Sequence, residues 1–172
     1  MQNRLEERDH MEVSRYILPA GQGDSVWLRG TEVTFKVRSD QAAGASCVEF
    51  ATVPGFDTGL HVHTKLEETF YVLEGEFELR AGNDVRRGLP GTLMFVPPGV
   101  PHAFSNRSDS PARLLILLSP PGHDRYFVEL AEILAPDGPP NTDAIAALRR
   151  KYDTEQLSSL VAGAQQPSPA AN

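Results

Sequence analysis

The 172-residue chain has a single cysteine, Cys47, so it closes no internal disulfide. Positive charge is also scarce, with 16 Lys and Arg against 23 Asp and Glu, a formal net charge of −7 and a pI near 5.2. That balance argues against a nucleic-acid or anionic-membrane surface, since both need clustered cations. No apolar run reaches the ~20 residues of a membrane span. Residues 1–14 are charged throughout and lack the apolar core of a secretory signal. The expectation is a cytoplasmic protein, although one cysteine is equally compatible with an extracellular one. Gly21, Gly23 and Gly30 read as turns rather than a phosphate loop, because the lysine such a loop requires is missing. There is no internal repeat. What remains is one domain, long enough to bury a core without staples, whose partners are small molecules.

The residues that carry chemistry lie between Gly55 and Asn106. The order is Gly55, five residues, His61-Val62-His63, four residues, Glu68, six residues and Gly75. A second block runs Gly91, five residues, Pro97-Pro98-Gly99, His102 and Asn106. Two histidines one residue apart share a face of a strand, because side chains alternate with a period of two. A short turn after His63 brings the chain back, and Glu68 opens the β-favouring segment to Leu73 with its carboxylate toward the imidazoles. His102 follows the turn at Pro97-Pro98-Gly99 and so comes from a separate strand. His61, His63, Glu68 and His102 are thus candidate ligands of one metal ion.

The two blocks resemble the paired sequence motifs of the cupins, small β-barrel proteins, with every fixed position occupied. The resemblance implies an all-β fold, a single jelly-roll barrel or double-stranded β-helix. It assigns the metal ligands to His61, His63, Glu68 and His102, and structural or turn roles to Gly75, Gly91, Pro97, Gly99 and Asn106. Three imidazoles and one carboxylate suit one divalent Fe, Mn, Co, Ni, Cu or Zn ion per chain better than calcium or magnesium. Cupins commonly associate through their outer strands, so a homodimer is also implied.

Residues 1–14 read as a flexible arm, and 15–120 as the barrel, with its metal motifs at 55–75 and 91–106. Residues 121–157 read as a segment of two short helices, and 158–172, rich in Ala, Gln, Pro and Ser, as a disordered tail. Arg15–Pro19, Ser25–Leu28, Thr31–Val37 and Ala45–Val53 are expected strands. After the first motif come Phe70–Leu73, Glu76–Arg80, a hairpin turn at Ala81–Asp84, Leu93–Val96 and Ala112–Leu118. Phe127, Leu130, Ala131 and Leu134 fall at helical spacing, with Asp124 positioned as a cap. A second helix starts at Asn141 or Thr142.

Phe70 and Val72 share the parity of Glu68, and Phe104 that of His102. They line the substrate pocket or belong only to the core, and parity does not separate the two. Glu67 is turned to solvent, and Cys47 is a small core residue. His10 and His123 read as structural, although His123 at the barrel rim could touch a substrate. Tyr126 and Phe127 form a lid or only pack the helix.

Among cupins, the single-barrel bacterial proteins with this ligand set are similar to quercetin 2,3-dioxygenases, and the tract Leu66–Gly75 looks like that group. That resemblance implies a metal-dependent dioxygenase in which Glu68 is both ligand and catalytic base toward a flavonol-like or other enolisable aromatic substrate, with O2 as co-substrate. Two other readings stay open. One is a non-oxidative enzyme, such as an isomerase, decarboxylase, lyase or polyketide cyclase, using the ion as a Lewis acid. The other is a small-ligand binding or sensing barrel without turnover.

Overall fold

A computed structural model describes residues 16–135 and 138–158. The expected arm at 1–14, with His10, and the tail beyond Ser158 lie outside the described residues. The elements in chain order are β1 (Ser25–Leu28), β2 (Thr31–Val37), β3 (Ser46–Thr52), β4 (His61–Val62), β5 (Glu67–Glu74), β6 (Phe77–Ala81) and β7 (Asp84–Gly88). There follow β8 (Leu93–Val96), β9 (His102–Ser105), β10 (Ala112–Ser119), α1 (Asp124–Leu134), α2 (Thr142–Lys151) and β11 (Glu155–Gln156).

Two antiparallel sheets form a jelly roll. One has the order β1-β2-β3-β10-β5-β8 and the other β11-β4-β9-β6-β7. The alternation seen in the sequence sets the inner faces. On β5, Glu68, Phe70 and Val72 point in while Glu67 and Tyr71 point out; on β10, Ala112, Leu114, Ile116 and Leu118 point in. The core between the sheets is aromatic along its axis. Phe50 meets Phe104 and Phe127 edge-on, and Phe104 also packs on Phe70 and Phe77. Helix α1 lies against β1, β3 and α2, and buries Tyr126 and Phe127.

Two turn positions show why the motif glycines are needed. A Cβ on Gly75 would sit 2.7 Å from the Ala112 side chain, at a φ of +73°. Gly99, at φ +82°, donates its N–H to the His63 carbonyl at 2.7 Å, which ties the Pro-Pro-Gly turn to the first motif. Asn106 is fully buried. Its amide nitrogen donates to Ser110 O at 2.8 Å, and its oxygen accepts from Ser108 N at 3.1 Å.

The structure corrects several expectations. Tyr16–Pro19 is no strand. Pro19 cannot donate to a ladder, and the Tyr16 hydroxyl instead bonds the Lys36 carbonyl at 2.5 Å. Strand β7, Asp84-Val-Arg-Arg-Gly, is an edge strand with no apolar alternation to announce it. Asp124 does not cap α1. His123 holds that position, and Asp124 Oδ2 accepts from the Ser39 N–H at 3.1 Å. Asn141 does cap α2, accepting from Ala144 N at 3.0 Å. The helical segment also ends earlier than 157: after Lys151 the chain turns back and adds β11 to the edge of β4, pairing Gln156 with His61 and Glu155 with Val62. No helix among the described residues is long and apolar enough to cross a membrane.

Candidate metal centre

The four expected ligands converge. Their candidate donor atoms all lie within 4.8 Å of one another. His61 stands directly opposite His102 in the β4–β9 ladder, and His63 follows immediately after β4. His61 and His102 belong to one sheet, with His63 just past its strand β4, while Glu68 comes from β5 of the other. The site therefore exists only where the two sheets face each other. His63, Glu68 and His102 are buried, and His61 is the most open of the four.

The second nitrogen of each imidazole is already committed. His61 Nδ1 bonds Gly59 O at 2.9 Å, His63 Nδ1 bonds Asp153 O at 2.8 Å, and His102 Nδ1 bonds Val100 O at 3.0 Å. A carbonyl only accepts, so each Nδ1 carries a proton; a neutral ring then keeps its Nε2 lone pair for a metal, and a protonated ring donates from Nε2 to Glu68. This is the outer-shell arrangement that orients histidine ligands on metals. Glu68 Oε2 lies 2.5 Å from His102 Nε2 and 3.5 Å from His63 Nε2. The four donors fit a divalent transition ion by geometry and by chemistry.

The electrostatics point the same way. Burial, and next the neighbouring His102, push His61 down to about 3, so its ring is neutral. Burial by itself would raise Glu68, but hydrogen bonds from His102 and His63 outweigh it and hold the carboxyl below its usual range. Burial likewise would lower His63, yet the Glu68 carboxylate holds it above its ordinary value.

Asp153 was not foreseen. It sits in the left-handed region at φ +53°, just past α2. Besides presenting its carbonyl to His63, its carboxylate accepts from Thr64 N at 2.9 Å, Lys65 N at 2.6 Å and Thr64 Oγ1 at 2.5 Å. Thr154 Oγ1 adds a contact to His63 Nδ1 at 3.3 Å. The C-terminal turn is thus a clamp on the His63–Lys65 loop. Only Asp153's tolerance of positive φ could have hinted at it.

Of the expected pocket residues, Phe70 lies closest to the cluster, its ring 6.0 Å from that of His102. Phe104 is 5.5 Å further along at the Phe70 ring, deep in the aromatic core. Val72 lies four residues from Glu68, roughly 13 Å along the strand at ~3.3 Å per residue, and packs near Gly88. Glu67 is exposed and Cys47 buried. His123 is buried beside the centre, its ring 5.0 Å from that of His63.

Comparison with known proteins agrees with this architecture. The family model described as "Cupin domain" matches residues 48–118. The chain is 35% identical over 85 residues to an uncharacterized protein of Methanocaldococcus jannaschii, covering 49% of this chain and 65% of that protein. It therefore spans about two thirds of the length of the curated relative it matches. Among solved structures it is similar to an RmlC-like cupin from Shewanella frigidimarina, with a TM-score of 0.55, 21% identity, and coverage of 65% of this chain and 96% of that one. It is also similar to the polyketide cyclase RemF from Streptomyces resistomycificus, with a TM-score of 0.55, 24% identity, and coverage of 63% and 83%. At these identities the likeness is one of fold.

Proposed function

We propose that this chain, whose residues 48–118 match the cupin-domain model, is a metal-dependent dioxygenase of a flavonol-like or other enolisable aromatic small molecule. The observation that carries the reading is the placement of Glu68. Its buried carboxylate directs one oxygen at two imidazoles within a four-donor cluster. His61, His63, Glu68 and His102 would hold one divalent transition ion, which when bound supplies Lewis acidity toward a substrate oxyanion and, if redox-active, a path to dioxygen.

The chain's own residues do the rest. Glu68 accepts the substrate's enol or hydroxyl proton, and its burial keeps that proton from bulk water. The Nδ1 anchors to Gly59, Asp153 and Val100 keep the imidazoles from rotating as charge develops. Phe70 and the aromatic core behind it give the site an apolar wall suited to an aromatic ring, and they exclude water on that side.

Proton abstraction by Glu68 would serve a non-oxidative isomerase, decarboxylase, lyase or cyclase equally well, so oxygen dependence is the discriminating measurement. Metal-free protein is reloaded separately with Fe(II), Mn(II), Co(II), Ni(II), Cu(II) and Zn(II), and oxygen uptake is followed with quercetin and simpler enolisable aromatics, with His61→Ala as control. Metal-dependent uptake that is lost in the control supports the dioxygenase. Tight metal binding without uptake but with substrate loss moves the reading to a non-oxidative enzyme, and ligand binding with neither moves it to a sensor.

A further inference from the structure

His123 is an imidazole at the centre that the donor set leaves out. Its ring lies 5.0 Å from that of His63, as close as the His61 and His63 rings lie to each other at 5.1 Å. It is clamped in place: Tyr126 stacks on it at 4.9 Å and 26°, while Phe127 and Tyr152 meet it edge-on at 5.6 and 6.1 Å. Each ligand histidine has its Nδ1 bonded to a carbonyl, but the His123 ring has no hydrogen-bond partner among the described residues. The wholly enclosed side-chain atoms without a partner are Thr31 Oγ1, Ser46 Oγ, Asp124 Oδ1 and Arg149 Nε. The His123 nitrogens are not among them, so the ring, though only 8% exposed, is not wholly sealed. An imidazole offers one N–H and, when neutral, one lone pair. Buried polar groups are almost always hydrogen-bonded, and an oriented imidazole without a partner in the protein is suited to an external one.

We propose that His123 is a substrate-positioning residue of the metal centre, hydrogen-bonding a hydroxyl or carbonyl oxygen of the molecule that Glu68 deprotonates. This rests on the reading of the centre as a site for an enolisable substrate, and it narrows that class to molecules with a second oxygen beside the acidic one, such as hydroxyketones. The start of α1 thereby becomes part of the site, and specificity is set from outside the two sequence motifs.

The test uses Zn(II)-loaded protein, with 3-hydroxyflavone and maltol as probes, comparing wild type with His123→Phe, His123→Gln and His123→Asn. Zinc content and thermal midpoint are measured for each. The expected result is full zinc occupancy in all four proteins and probe binding about tenfold weaker in His123→Phe, the loss of roughly one hydrogen bond. Affinity should be restored by Gln if the distal ring nitrogen makes the bond, or by Asn if the proximal one does. Unchanged binding in His123→Phe overturns the proposal. So does weaker binding that tracks a loss of zinc, since His123 would then be structural. A wild type that binds neither probe overturns it together with the enolisable-substrate reading. Binding that depends on His123, with no oxygen uptake under any metal, refutes the dioxygenase and leaves the His123 assignment standing.

Discussion

Replacing Asp153 tests whether the turn after α2 supports the metal centre. Its carboxylate takes three hydrogen bonds from Thr64 and Lys65, and its own carbonyl holds His63 Nδ1. Bonds to a charged acceptor contribute about 1.5–3 kcal/mol each when buried. Because this loop meets water, the three together are placed nearer ~2 kcal/mol. Alanine at φ +53° adds about 1 kcal/mol of backbone strain that aspartate and asparagine tolerate better. Asp153→Ala should therefore destabilise the metal-free protein by ~3 kcal/mol and Asp153→Asn by only ~1 kcal/mol, both read from urea denaturation. Zinc affinity by chelator competition should fall on the order of tenfold in Asp153→Ala, the scale of losing an outer-shell contact. The carboxyl titrates below its ordinary value in the folded protein. Its stabilisation is thus fully present above about pH 4 and is lost as pH falls through the folded value, so the gap between wild type and Asp153→Asn should close in acid. If Asp153→Ala matches wild type in both denaturation midpoint and zinc affinity, the clamp has no energetic role.

Three further outcomes are expected. Glu68→Gln should keep a bound ion, since three imidazoles remain, and lose at least ~100-fold in turnover measured by oxygen uptake or substrate loss; retained turnover would remove Glu68 as the base. Burial pushes the Cys47 thiol up to about 11, so iodoacetamide near pH 8 should label it only after denaturation, and rapid labelling of the folded protein would contradict its core placement. Tyr71, Leu93, Phe95 and Leu117 are 40–59% exposed, and the register places them on adjacent strands of one outer face. We propose this face as the homodimer contact. Light scattering should then show a dimer that Phe95→Glu converts to monomer, and a wild-type monomer would refute it.

Read from the sequence, the resemblance to the cupin motifs implied the jelly-roll class and the four candidate donors, and short-range rules agree with both. Period-2 alternation settles which side of β5 and β10 faces inward and puts His61 and His63 on one face, while Glu68 and His102 enter through their motif positions. Gly75, Gly99 and Asn106 were legible for the same reason, because turn geometry restricts residue type locally. Strand β7 was not legible, since an edge strand facing water needs no apolar alternation. Tertiary structure alone decided how the centre is supported. Asp153 lies 90 residues from His63, and the bond between them uses a backbone carbonyl, which every residue has and no pattern marks. His123 and Tyr126 come to the centre because α1 packs across β1 and β3, a docking that the helix's own periodicity does not specify. Alternation and turn chemistry act between neighbours in sequence and can be read there, whereas the clamp and the fourth imidazole depend on where distant segments come to rest.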